Sequence, residues 1–444
     1  MSSTEPYRDR GAGQGSSQIA AGIEARVREG ELRPGQGLPP IRDLAAQLGV
    51  SPATVATAYR TLRHRGLVTT RGRGGTRISL GPALPVRGSV RIPAGVRNLA
   101  DGNPDPRLLP ELAPALAQWS GAPRLYGEEP NLPALIELAA ARFAVDGVPT
   151  DALTVVGGAM EAFERILEAY LDRGDRIAIE DPGHASLIDL VRSLGLEIEP
   201  VAVDSQGMTP DDLERALRRG VRAVAITPRA QNPTGAVLSP ERLTDLAEIL
   251  RRFPDVVVIE DDHSAWTSGA PARTLADRDL ARWTVIRSVS KSIGPDLRLA
   301  VVAGDSTTIG RVEGRRLLGT GWVSSLLQQL VVVLWSDPKI DALFSTAEHT
   351  YAGRRHALID ALQERGINAA GDSGINVWIP VAEELAPARQ LIDRGWAVSL
   401  GQRFRLNSPP ALRVTAATLE PDEAARFAAD LVLALRPNRR TRQA

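Results

Sequence analysis

The chain contains no cysteine. Disulfides, zinc–thiolate sites and cysteine nucleophiles are therefore excluded, and the composition fits a reducing compartment. Histidine is sparse, at 5 of 444 residues, and aromatics make up only 4%. No apolar run reaches the roughly eighteen residues that a membrane-crossing helix needs. The opening stretch MSSTEPYRDRGAGQGSSQ is polar and lacks the apolar core of a secretory signal. Cytoplasm is the expected location. Lysine is the scarcest charged residue: of 53 Lys plus Arg, only two are lysine, Lys291 and Lys339. Formal net charge is +0, so nothing global points to nucleic acid. What is present, 43% hydrophobic and 24% charged residues, belongs to an ordinary globular chain of more than one domain.

The charge is unevenly spread. Residues 1–80 carry 12 Arg against six Asp plus Glu, which puts a basic module on a slightly acidic body. Residues 1–16 are expected to be a disordered tail, and 17–79 one small unit. SQIAAGIEARVREG has helical spacing in Ile19, Ile23 and Val27. IRDLAAQLGV is a short amphipathic helix with Ile41, Leu44, Ala45 and Leu48 on one face. SPATVATAYRTLRHRGLV follows, with Ser51 suited to cap the helix and Pro52 suited to its first position. LVTTRGRGGTRIS then alternates around a glycine turn, as a hairpin does. Helix, short helix, tight turn, helix, hairpin is the order of a winged helix-turn-helix. Arg71 and Arg73, among small residues at the hairpin tip, suit phosphate or a narrow minor groove. Residues 80–98, with three prolines and no periodicity, are expected to be a linker.

From residue 99 to 444 the pattern changes. LTVVGG, RIAIEDP, IEPVAV, VRAVAITP, VVVIEDD, TVIRSVS and LRLAVVAG alternate with helix-length segments. This predicts an α/β domain with a mostly parallel sheet of about seven buried strands. The shorter runs INVWIPV, WAVSL and ALRVTAA predict a small C-terminal α+β lobe.

Parallel sheets put ligands beyond the carboxyl ends of their strands. After LTVV come Gly157, Gly158 and Ala159, then a helix start, a combination that presents backbone N–H groups to an anion. After AVAITP comes Asn232 in a Pro-Thr-Gly turn; after VVVIE come Asp261, Asp262 and His263; after TVIR come Ser288, Ser290 and Lys291, with Arg298 seven residues on. A nucleotide-hydrolysing site fails for want of GxxxxGK[ST]. A metal site at Asp261, Asp262 and His263 is disfavoured, because adjacent strand residues point to opposite faces. One ligand uses every piece. An amine that cannot be replaced by arginine forms a Schiff base. A carboxylate holds a pyridine nitrogen, an amide meets a ring hydroxyl, and hydroxyls, an arginine and a helix start hold a phosphate. That set describes pyridoxal 5'-phosphate.

With NPTG at 232–235 and SVSKSIGPDLRLAVVAGD at 288–305, the large region resembles the fold-type I aminotransferases. RLYGEEPNLPALIELAAARF at 124–143 is similar to that family's helix-leading motif. The N-terminal unit resembles a GntR-type winged helix, and the order of the two resembles the MocR subfamily of GntR regulators. The resemblance implies a cofactor bond at Lys291, Asp261 on the pyridine nitrogen and Asn232 on the ring hydroxyl. It implies Ser288, Ser290, Arg298 and the Gly158–Ala159 backbone on the phosphate. It implies Arg413 as a substrate-carboxylate arginine, and a domain-swapped homodimer in which Tyr126 reaches the partner's site. His263 and His184 stand where the family usually has tyrosines, and Met160 where glutamine is common; both histidines are expected to line the pocket. In the reading helix, Pro52 and Ala56 stand where GntR members often place arginine. That leaves Arg42, Ser51 and Thr54, with Arg71 and Arg73 on the wing, to contact double-stranded DNA. Three readings stay open. The first is a regulator whose body senses pyridoxal phosphate and an amine or amino acid. The second is a working aminotransferase, with Lys291 and Arg413 catalytic. The third is a DNA-binding protein whose body no longer holds the cofactor.

Overall fold

The computed structural model describes residues 15–28, 31–33, 35–64, 67–70, 75–78, 92–118, 124–276 and 278–436. Most of the expected tail and of the linker, together with Arg71 and Arg73, lies outside them. The chain divides into two compact units near residue 90.

The first unit follows the expected order: α1 (Ser16–Arg28), α2 (Ile41–Leu48), α3 (Pro52–His64), β1 (Val68–Thr70) and β2 (Thr76–Ile78). The apolar stripes read from the sequence meet in one buried cluster, with Ile19, Ile23, Leu44, Leu48, Val55, Ala58, Tyr59 and Leu62 in it, whereas Ile41, at the first position of α2, is exposed. Gly49 ends α2 in the left-handed conformation, at φ 67°, a turn that favours glycine. It lets α3 start three residues later. β1 and β2 pair antiparallel, Thr70 opposite Thr76. The chain before α2 adds to this wing through Leu38 N–H to Thr76 O, at 2.8 Å.

The second unit begins with β3 (Arg97–Asn98). Its main sheet holds β4 (Leu153–Val156), β5 (Arg176–Asp181), β6 (Glu197–Asp204), β7 (Gly207–Met208), β8 (Val221–Ile226), β9 (Val257–Asp261), β10 (Trp283–Ser288) and β11 (Ala300–Gly304). All seven strand-like runs are strands of this sheet, in the order β4-β11-β10-β9-β8-β5-β6-β7. The eighth, β7, is two residues long and too short to leave a periodicity. β5, β8, β9 and β10 run parallel, while β11 is antiparallel to both its neighbours. The middle strands are buried along their full length, as their unbroken apolar runs require. Flanking helices cover them through clusters around Phe143, Val285 and Trp335 and around Val224, Leu246 and Val258.

The small lobe has β12 (Asn376–Pro380), β13 (Trp396–Ala397), β14 (Ser399–Leu400) and β15 (Ala411–Thr415). β15 lies between β12 and β14, and β13 pairs with β3. Among the described residues no helix is long and apolar enough to cross a membrane.

Candidate functional site

Strand register explains how distant residues meet. Ser288, the last residue of β10, pairs with Ala300 of β11, and Ala300 pairs with Val156 of β4. Because β11 runs backwards, its entrance lies beside the exits of β4 and β10. Gly157 and Gly158, Arg298, and Ser290 with Lys291 are thereby gathered at one edge. Asp261 pairs with Ile286 at the neighbouring exit, and Glu260 with Ile226, which leads on to Asn232.

Lys291 Nζ donates to the carbonyl oxygen of Gly102 at 2.6 Å. Burial lowers its pKa to about 8, helped by the Arg413 guanidinium and opposed by Asp261. About a tenth of the amine is therefore free of its proton at pH 7, against well under one part in a thousand for an ordinary lysine. Asp261 is 6% exposed, and its Oδ1 takes no hydrogen bond from any described residue. Burial, then the charges of Asp262 and Glu180, push its pKa up to about 7, with Lys291 opposing. Its neighbours in the chain are engaged: Glu260 accepts from Thr274 Oγ1 at 2.8 Å and from Leu275 N–H, and Asp262 is held by two arginines. Of three consecutive acids, the middle one keeps an open oxygen.

Arg413, in the middle of β15, donates through Nη1 to Asn232 Oδ1 at 3.1 Å and through Nη2 to the Ala100 carbonyl. Its guanidinium lies 4.6 Å from the Phe404 ring centroid. Its Nε is buried with no hydrogen-bond partner among the described residues. Burial, aided by Arg403, lowers its pKa to about 10, so it stays charged at neutral pH.

At the other end, Ser288 Oγ donates to Ser290 Oγ at 2.9 Å. Gly158 has φ 106° and starts the helix Ala159–Tyr170. A Cβ there would lie 3.0 Å from Arg298 Nη2, so only glycine leaves this guanidinium its place. Gly157 N–H is taken by the Glu161 carboxylate.

His263 Nδ1 lies 3.8 Å from Asp261 Oδ2, and burial and Lys291 lower the ring's pKa to about 4. It is neutral at physiological pH. His184 lines a small cavity together with Asp261, Glu180, Thr227 and Phe163. Tyr126 stands apart from these residues in exposure: it is 92% exposed, its ring 5.4 Å from Trp322 in an edge contact.

In the first unit, Ser51 Oγ accepts from Thr54 N–H at 3.1 Å and lies 2.8 Å from Thr54 Oγ1. The two hydroxyls mark the exposed start of α3, and Arg42 is exposed on α2.

Sequence reasoning missed several partners. The Gly102 carbonyl is 189 residues from Lys291 in the chain, and no local pattern points to it. Phe404 beneath Arg413, and Arg229, Arg287 and Asp146 around Asp262, were equally silent. The metal alternative lacks converging donors: among the described residues no group of three His, Cys, Asp or Glu forms a candidate ion site.

Comparison with known proteins places these units. The family description "Aminotransferase class I and II" matches residues 94–431, and "Bacterial regulatory proteins, gntR family" matches residues 16–78. The vitamin B6 salvage pathway transcriptional repressor PtsJ of Salmonella typhimurium is 42% identical over 429 residues, covering 95% of this chain and 99% of that protein. The probable rhizopine catabolism regulatory protein MocR of Rhizobium meliloti is 27% identical over 349 residues, covering 70% and 69%. Among solved structures, the alpha-aminoadipate aminotransferase LysN of Thermus thermophilus superposes with a TM-score of 0.69 at 23% identity, covering 77% of this chain and 92% of that one. With a GntR helix-turn-helix ahead of an aminotransferase-type domain, this chain belongs to the MocR-type, GntR-family transcription regulators.

Proposed function

We propose that the protein is a DNA-binding transcription regulator whose aminotransferase-type domain, residues 99–444, binds pyridoxal phosphate and an amine or amino acid. The winged helix, 17–79, reads double-stranded DNA, and 80–98 links the two. The observation that carries this reading is the pairing of a desolvated amine, Lys291, with Asp261, a buried acid that has an open oxygen and whose charge acts on it.

The residues present fit the cofactor. An orphaned buried carboxylate oxygen suits a pyridinium N–H, and a glycine cradle under Arg298 suits a phosphate. When bound, pyridoxal phosphate supplies an aldehyde that condenses with primary amines and a pyridinium that withdraws electrons. Lys291 supplies the amine and, at a pKa of about 8, releases its proton within the physiological range. Asp261 holds the charge opposite the ring nitrogen. Asn232, tethered to Arg413, faces the ring hydroxyl. Ser288, Ser290, Arg298 and the Gly158–Ala159 backbone hold the phosphate. His263, as a neutral side chain, and His184 line the ring's surroundings. Arg413 offers its free Nε–H to an effector carboxylate. Tyr126, exposed beside Leu125 at 68%, serves the site of a second copy in a homodimer. Arg42, Ser51 and Thr54 face DNA, with Arg71 and Arg73 on the wing. The protein acts in the cytoplasm, and the name of its Salmonella relative makes vitamin B6 salvage the first regulon to test.

An effector changes DNA binding only through different affinities for two arrangements of the protein. The test is an absorbance spectrum with and without pyridoxal phosphate, then amine titration with DNA affinity followed in parallel. A cofactor band that responds to amines, with altered operator affinity, supports the reading. A spectrum and a DNA affinity that both ignore the cofactor and amines contradict it. Turnover of an amino donor is a second reading, favoured by a lysine whose proton is loosened by burial and by the nearby Arg413 charge.

A further inference from the structure

Behind the site lies a closed ring of four charges, three of them buried and the fourth, Asp146, half-buried. Asp262 Oδ1 accepts from Arg229 Nε at 2.8 Å, and its Oδ2 accepts from Arg229 Nη2 at 2.9 Å and Arg287 Nε at 2.8 Å. Asp146 Oδ2 completes the ring, 3.2 Å from Arg229 Nη2 and 2.6 Å from Arg287 Nη2. Arg229 also holds the Ala270 carbonyl at 3.1 Å, and Arg287 lies 4.5 Å over the Phe143 ring. The side chains of Arg287, Asp262 and Arg229 are 1%, 4% and 5% exposed.

Three of the four sit next to site residues in the chain. Arg229 precedes the turn that bears Asn232, Asp262 follows Asp261, and Arg287 precedes Ser288. Asp261 and Ile286 are register partners, so Asp262 and Arg287 share one face of the sheet while Asp261 and Ser288 share the other. Asp262 N–H also bonds Ile286 O at 2.9 Å. The ring therefore clamps three strand exits from the far side. Buried ion pairs seldom outdo apolar residues as stabilisers, so a role in the fold alone accounts poorly for three buried charges here.

We propose that Asp262, Arg229, Arg287 and Asp146 are positioning residues that fix Asp261 toward the cofactor and set the pH range over which it carries its charge. This rests on the cofactor reading above. Asp261 is faced by Asp262, by Glu180 of β5, by Lys291 and by His263, with Glu260 before it on its own strand. Burial opposes the charge of Asp262, but Arg229 and then Arg287 outweigh burial and hold its pKa at about 2. Asp262 thus stays ionised at every working pH. After burial, its charge is the largest influence raising Asp261.

The experiment measures pyridoxal phosphate affinity from absorbance across pH for the full chain and three variants. Affinity falls as pH drops through the pKa of Asp261, because the neutral acid cannot hold a pyridinium. Titrations of the ligand itself are common to all four proteins. Asp262→Asn removes the negative neighbour and leaves two arginines, so the midpoint moves down by roughly one pH unit. Arg229→Gln leaves Arg287 to hold Asp262 ionised and removes a positive charge, so the midpoint moves up. Arg229→Lys keeps the charge and the wild-type midpoint. Far-UV circular dichroism checks the fold; if Asp262→Asn does not fold, the upward shift in Arg229→Gln decides. Opposite shifts in the two neutralising variants support the proposal, as does the upward shift alone in that case. Unmoved midpoints, or shifts in one direction, overturn it while leaving cofactor binding intact. A wild-type protein with no cofactor band contradicts the proposed function and this inference together.

Discussion

The two units treat their polar residues in opposite ways. On the first, Ser51 and Thr54 are tied to each other at the start of α3 and remain open to solvent, and Arg42 stands on the surface. In the second, Lys291, Asp261, Asp262 and Arg413 are withdrawn from water; burial shifts the titration of Lys291, Asp261 and Arg413, while two arginines hold Asp262 ionised against it. A surface that reads a phosphate-lined groove needs exposed donors that exchange water freely. A site that binds an aldehyde needs one amine stripped of its proton, and burial does that. The contrast also bears on the lysine count: apart from the exposed Lys339, arginine fills the other basic positions, but it could not serve as a buried amine nucleophile.

The contrast can be broken at its strongest point first. Lys291→Arg keeps the charge and removes the nucleophile. It should abolish the cofactor absorbance band entirely, while the winged helix, with its own core, keeps its fold and its DNA binding. A retained band in this variant would mean that the amine is not what the buried site is for.

Asp261→Asn should weaken pyridoxal phosphate binding by roughly 10- to 100-fold, the worth of one hydrogen bond to a charged group. Equilibrium titration of the absorbance change measures it. An unchanged affinity would remove Asp261 from the site. Arg413→Met should leave cofactor affinity near wild type yet cost a carboxylate-bearing amine about the same factor; comparing the amino acid with its decarboxylated amine separates the two.

The pH dependence of cofactor attachment follows from Lys291. Its folded pKa of about 8 lies below the ordinary 10.5. Below about pH 8 the neutral amine falls by close to tenfold per unit, so the attachment rate should fall with it. Stopped-flow absorbance from pH 6 to 9 checks this, and a flat profile would show that the amine is not the reacting group.

The smallest effect belongs to the surface. Ser51→Ala removes a helix cap worth about 1 kcal/mol, so the melting transition of the first unit should move by a few degrees and operator affinity should fall only a few-fold. A complete loss of DNA binding would make Ser51 a base-reading residue and not mainly a cap.

Much of this was legible in the sequence because it was local. The seven strand runs are apolar enough to be strands in any context, and α2 and α3 announce their buried faces through helical spacing. Asn232, Asp261 and Lys291 were singled out because strand ends in a parallel sheet converge. What stayed hidden depends on register and distance. Gly102 meets Lys291 through a carbonyl, which every residue has. Asp262 was noticed only as a metal ligand, because its two arginines arrive from different strands. Phe404 looked like any core residue, and β7 was too short to show a pattern.

The most direct test is borohydride reduction of the cofactor-saturated protein, followed by peptide mapping by mass spectrometry. The account predicts one phosphopyridoxyl mass addition, on the peptide that contains Lys291, and its loss in Lys291→Arg. An unmodified Lys291 peptide, or an addition at Lys339 instead, would contradict it.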